Sequence, residues 1–230
     1  MSKPFELAFS NSLTGPVVTD LELVDTRLQE LHPTLNRELL ADVVAQALNE
    51  RNDVTEASAP TEAGVLQWLK TVKLLRTWLS SKDWSIQNTQ NCPFIVSPDR
   101  SVSIVILTGS SETGRQGFGE PTNQAEKGAV AERFVQNNQL ALFNQDSFKL
   151  AKEKQKETQV WALLYHYDKK LNEVRFELSL PTAFGKKKIT AWGERLILGS
   201  IPNNTTDFTI REDVPNAPAT VEVQPKTGTN

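Results

Sequence analysis

The stretch VWALLYHYDKKLNEVRFELSLP, residues 160–181, decides the fold class. A run of aromatic and branched side chains enters the polar turn Asp168-Lys169-Lys170-Leu171-Asn172. In the run that follows, Val174, Phe176, Leu178 and Leu180 alternate with Arg175, Glu177 and Ser179. A period of two puts alternate side chains on opposite faces of a strand, and Asp and Asn favour the turn between two such runs. The stretch therefore predicts an antiparallel hairpin with one core face and one polar face. Arg175 and Glu177, two apart, share the polar face, where surface ion pairs are expected.

Strand-like pieces at 188–192 and 195–201 extend this sheet toward the C-terminus. On the other side, residues 84–87, 93–96 and 102–107 read as strands, the last two joined through Ser97-Pro98-Asp99-Arg100, with Pro and Asp at favoured turn positions. A Gln- and Asn-rich helix is expected over 129–143, and the charged stretch 148–158 extends or follows it.

The N-terminal third is helical. Asp20 is placed to cap a helix carrying Leu21, Val24, Leu28 and Leu31, which Pro33 ends. A second helix over 35–49 aligns Leu35, Leu39, Leu40, Val43, Val44, Ala47 and Leu48 on one stripe. After the polar segment 51–60, a third helix presents Val65, Trp68, Leu69, Val72, Leu75 and Leu79 as an apolar face, with Lys70 and Lys73 pointing away.

Helices before strands, with short hairpin connections, define an α+β chain: N-terminal helices packed on or preceding an antiparallel sheet built from hairpins. The expected organisation is a flexible arm at 1–18, a helical subdomain with linker at 19–60, an α+β core at 61–201 and a disordered tail at 202–230.

Composition narrows the class. No window approaches the roughly 18 apolar residues of a membrane span, and the start lacks a basic segment followed by an apolar one. The single cysteine, Cys92, cannot form an internal disulfide, which suits a reducing compartment and a cytoplasmic chain. The Asn-x-Thr triplets at Asn203 and Asn204 are then chance matches. The formal charge of -3 conceals an uneven distribution. Residues 1–60 carry roughly six more acids than bases and residues 149–195 roughly five more bases than acids, a pattern that suits a charged partner or an ordinary solvated surface.

Few residues suggest chemistry. Residues 108–128, TGSSETGRQGFGEPTNQAEKG, follow an apolar strand, and Gly109 and Gly114, flanking Thr113, have the spacing of a phosphate-binding loop. Arg115 and Gln116 stand where that loop needs Lys and Ser or Thr, and Gly117, Gly119 and Pro121 oppose the helix that would complete an anion site. A loop this long inside a domain is a contact surface or a mobile segment. His32, His166 and Cys92 are too scattered for a soft-metal site, no nucleophile elbow occurs, and no cofactor is implied. Lys186, Lys187 and Lys188, with Trp192 and Arg195 nearby, combine phosphate-neutralising and base-stacking groups, although a lysine-rich turn also keeps a sheet edge soluble.

These features point to a non-enzymatic interaction protein, an accessory subunit of a larger assembly that binds protein or nucleic acid through its sheet face and Gly-rich loop. The expected contact residues are Gly109, Thr113, Gly114, Arg115, Arg175, Glu177, Lys186, Lys187, Lys188, Trp192 and Arg195. The alternative is a metal-dependent nuclease or phosphodiesterase using Asp99, Glu177 and Glu194.

Overall fold

The computed structural model describes residues 15–117, 119–126, 128–147 and 158–204. The elements run β1 (Val17–Val18), α1 (Leu21–Leu31), α2 (Arg37–Asn52), α3 (Glu62–Ser80), β2 (Ser85–Thr89), β3 (Cys92–Val96), β4 (Val102–Thr108), α4 (Ala129–Ser147), β5 (Gln159–Asp168), β6 (Glu173–Gly185) and β7 (Lys188–Pro202). The strands form one sheet in the order β1-β7-β6-β5-β4-β3-β2. The α+β class holds, but the sheet is mixed rather than antiparallel. β4 and β5 are parallel because α4 carries the chain back across the sheet between them, and β1 joins β7 in parallel.

Local chemistry sets the helix starts. The Asp20 carboxylate accepts from the N–H groups of Glu22 and Leu23, both at 3.0 Å, and the Asn36 side chain accepts from Leu39 N–H at 2.8 Å. In α2 the predicted stripe is the buried stripe. In α3 it is rotated: Val65 and Leu69 are each 50% exposed, whereas Gln67 and Thr71 are buried with Leu75 and Leu79. Hydrogen bonds satisfy Thr71 and the Gln67 amide oxygen at these inner positions, while Gln67 Nε2 is buried without a partner. Thr71 Oγ1 donates to Gln67 O at 2.7 Å, and Arg51 reaches the Gln67 amide oxygen at 3.5 Å.

All three N-terminal helices lie on one face of the sheet. Val24, Leu28, Leu40, Val44, Leu75 and Leu79 share a single apolar cluster with Ile104, Trp161, Leu163, Phe176, Leu178 and Leu196. Residues of the segment 19–60 thus share one apolar cluster with residues of 61–201. The opposite face carries a smaller cluster in which α4 supplies Ala131, Phe134 and Val135 against Val105, Leu107, Ala162 and Leu164. Ile189 and Trp192 join that cluster, in the part of the β6–β7 hairpin where the register shifts repeatedly between Phe176 and Phe184.

Both ends of the described chain are docked. Val17 pairs with Arg195, and Gly15 N–H donates to Trp192 O at 3.0 Å, so residues 15–18 of the predicted arm are tied to β7. A Cβ on Gly15 would lie 1.0 Å from Gly193 O, which leaves glycine as the residue that fits. At the other end, Asn203 is buried. Its side chain exchanges hydrogen bonds with Asn52 and reaches Asn172, so residues 202–204 belong to the fold and the Asn203 amide is unavailable for glycosylation. The expectations for residues 1–14, 148–157 and 205–230 lie outside the described residues.

Candidate functional site: the charged face under the glycine-rich loop

Alternation along β6 sends Arg175, Glu177 and Ser179 to the face opposite the helices, as expected. That face is not surface. Glu177 is fully buried, with Arg175 at 4% and Arg195 at 3% exposure, because the segment between β4 and α4 folds across it. Burial of ionised groups costs several kcal/mol each unless each finds partners. Here they do. Glu177 Oε2 accepts from Arg195 Nη2 at 2.7 Å and from Gly114 N–H at 2.8 Å, while its Oε1 accepts from Arg195 Nε at 3.1 Å and Ser179 Oγ at 2.8 Å.

The arginines spend their remaining donors on the loop. Arg175 donates to Thr113 O at 3.1 Å and Ser111 O at 3.0 Å, and also to Asp168 Oδ2 at 2.8 Å and Glu173 Oε1 at 3.2 Å. Arg195 donates to Arg115 O at 3.2 Å. The anion that the glycine-rich loop cradles is therefore the chain's own Glu177 carboxylate. Gly114 is required there twice over: its φ is +71°, and a Cβ would approach Arg175 Cβ to 2.7 Å.

The end of the loop is tied as firmly. Trp192 is buried and donates from Nε1 to Pro121 O at 2.7 Å, and Asn123 Oδ1 accepts from Ile189 N–H at 2.7 Å. Trp192 is thus a core residue, not a base-stacking platform. Lys186 and Lys187 form the two-residue turn between β6 and β7, both with positive φ. Lys187 pairs with Glu126 at 3.0 Å, and Lys188 donates to Gln124 O at 3.0 Å. Two of the three lysines are thus engaged with the chain, although the Lys187 pair is highly exposed and contributes little.

The network sets the acidity of its members. The Arg175 hydrogen bond is the largest cause lowering Asp168 to about 2, assisted by the Lys170 and Leu171 amides. Glu120 moves the other way: burial raises it, the nearby Glu177 charge adds to the rise and Arg195 opposes both. Its Oε2 is buried without a hydrogen-bond partner.

The structure brings together Thr113, Gly114, Arg115, Arg175, Glu177 and Arg195 of the predicted contact residues. Gly109 lies at the start of the loop, where its carbonyl is 3.1 Å from His166 Nδ1. The lysine turn and Trp192 adjoin the other end. Asp168 and Glu173 went unnamed as partners of Arg175. The hairpin register carried the signal, since Asp168 opposes Glu173 and both sit two positions from the His166–Arg175 pair.

The three acids of the nuclease reading do not meet. Glu194 faces α1, where Arg27 holds it at 2.8 and 3.1 Å. Glu177 lies on the opposite face. Asp99 caps the β3–β4 turn, where hydrogen bonds led by Ser97 lower it to about 2. Among the described residues no group of three His, Cys, Asp or Glu is placed to hold a metal ion, and no helix is long and apolar enough to cross a membrane. Comparisons with protein families, with curated proteins and with solved structures each returned no match.

Proposed function

We propose that the chain is a non-enzymatic protein-binding subunit that receives a partner strand at β2. Helices pack on both faces of the sheet, which favours its edges as the contact surface. The observation that supports the reading is that β2, the last strand in the order, is exposed at all five positions. Its sequence, Ser-Ile-Gln-Asn-Thr, contains no proline and no charge, and Ile86 is 53% exposed. Sheet edges are ordinarily blunted by charge, proline or cover, and an edge without them is a template for an added strand.

The edge is also preorganised. Arg76 Nη2 on α3 donates to Gln87 O at 2.7 Å, Asn88 Oδ1 at 2.8 Å and Phe94 O at 3.0 Å, which fixes the β2–β3 hairpin against the helix. Its turn residues Gln90 and Asn91 both have positive φ, the geometry that matches strand twist in a two-residue hairpin. A strand held in its bound shape loses less entropy on association.

The test is recovery of the tagged chain from its native cell, as wild type and as Ile86→Lys, which adds a charge to the edge. Loss of a specific protein partner in the variant, at unchanged melting temperature, supports the reading. Equal recovery of the same partners by both proteins, or recovery of nucleic acid alone, overturns it.

A further inference from the structure

A second pair of surfaces, away from β2, fit one another. Between the first half of α2 and the second half of α3 lies a groove of about 340 Å3, walled by Leu39, Val43, Leu74 and Trp78 and edged by Glu38 and Asp42. That volume is near the roughly 300 Å3 lower end for ligand pockets, which suits a single anchoring side chain. Trp78 is 39% exposed, whereas Trp84, Trp161 and Trp192 are buried. Glu38 and Asp42 stand one helical turn apart, and neither is ion-paired with a described residue. Like charges at that spacing repel mildly, a cost that an incoming cation removes.

The complementary shape is the β5–β6 turn. Lys169 and Lys170 are exposed and without ion pairs to described residues, and the neighbouring Leu171 is 60% exposed. The turn is rigid. Asp168 Oδ1 accepts from the N–H groups of Lys170 at 3.0 Å and Leu171 at 3.3 Å, while the Asn172 side chain is held by Tyr167 Oη at 2.8 Å and by Asn203 O at 2.9 Å. An apolar side chain flanked by two cations is thus presented at low entropic cost, against an apolar groove edged by two anions on α2, with the Lys82 ammonium 5.6 Å from the Trp78 ring on the α3 side.

We infer that the Lys169-Lys170-Leu171 turn of one copy docks in the α2–α3 groove of a second copy. A molecule does not reach its own groove. The turn is anchored at the last residue of α2 through Asn172, Asn203 and Asn52, while the acids that edge the groove, Glu38 and Asp42, lie about 21 and about 15 Å back along that helix. Turn and groove are different surfaces, so two copies either exchange turns reciprocally and close, or contact one way and propagate. One turn covers less than a standard interface of about 1,200 Å2 and its rim is charged, so the association is weak and salt-sensitive.

Sedimentation velocity of the full chain, over concentrations up to submillimolar and at low and high salt, reads this directly. The wild type is expected to self-associate at low salt, with Leu171→Asp, Lys169→Glu/Lys170→Glu and Glu38→Lys/Asp42→Lys each monomeric. An equimolar mixture of the last two variants associates again, because each supplies the charge the other's groove or turn lacks. Melting temperatures identify any variant that fails to fold, and the turn variants, lying outside the helices, then carry the test. A wild type that stays monomeric overturns the inference, as does association indifferent to both sets of substitutions. A monomeric wild type whose Trp78 fluorescence responds to a Lys-Lys-Leu peptide also overturns it, assigning the groove to a basic segment of another protein. Ile86→Lys lies on neither surface and leaves this association intact, so failure here and failure of strand addition are distinguishable.

Discussion

The two faces of the central sheet are closed by different chemistry. Against the helices, Trp161, Leu163, Phe176, Leu178 and Leu196 meet apolar stripes of α1 to α3, and the helices satisfy their own backbone groups. Against the loop, Arg175, Glu177 and Arg195 meet the turn at 111–115, whose backbone groups need partners from elsewhere. The buried charges supply them. A sheet face covered by irregular chain becomes polar because the cover is polar, not because the face is a reaction centre.

Removing one large group from each face separates the two chemistries most sharply. Trp161→Ala is expected to cost about 3 to 5 kcal/mol through the lost aromatic and its cavity, and Glu177→Ala about 3 to 5 kcal/mol by stranding buried arginine charge. The two losses differ in how they are repaired. Replacing Glu177 and Arg195 together by Met should restore much of the stability, because no unpaired charge remains, yet leave the loop more open to protease. Denaturant unfolding measures the first effect and limited proteolysis between Ser110 and Asn123 the second. A double variant as unstable as Glu177→Ala would show that the pair itself, rather than its imbalance, holds the face closed.

Gly114→Ala probes the closest approach of loop and sheet. Its left-handed backbone costs a Cβ-bearing residue about 1 to 2 kcal/mol, and the contact with Arg175 Cβ adds to that. A melting temperature equal to wild type would mean that the loop sits off the strand.

Acid sensitivity separates the faces further. Because Arg175 lowers Asp168 to about 2, the folded form binds its proton less readily than the unfolded chain. The contribution is present above an ordinary aspartate pKa of about 4 and is lost as pH falls toward 2. Asp168→Asn should flatten the stability curve in that window. An unchanged acid limb would remove Asp168 from the network. The smallest effect has the opposite sign: Glu120, raised by burial, favours its protonated form when folded, so ionisation at neutral pH weakens the fold. Glu120→Gln should raise the melting temperature slightly at pH 7 and leave it unchanged near pH 4.

The helix face was legible in sequence because period directly reports burial there. Val174, Phe176, Leu178 and Leu180 alternate without interruption, and α2 carries its stripe from Leu39 to Leu48. The rotation of α3 was hidden because Gln67 and Thr71 are buried through bonds to the helix itself and to Arg51, which no apolar pattern records. On the loop face the alternation of Arg175, Glu177 and Ser179 reports which way each side chain points, but polarity there does not report exposure. What covers the face is separated from Glu177 by 63 residues, and only the tertiary structure brings Gly114 to it. The parallel β4–β5 pairing escaped for a similar reason, since a hairpin pattern describes neighbours in sequence and α4 intervenes.

The glycine-rich loop is a fixed part of the fold, latched by the carboxylate it surrounds. The most direct measurement is native-state hydrogen exchange at the Gly114 amide, which donates to buried Glu177. Protection comparable to amides of β6 is expected, lost on Glu177→Ala at a pH and temperature where the rest of the sheet remains protected. Exchange of Gly114 in the wild type at the rate of an unstructured peptide would contradict it.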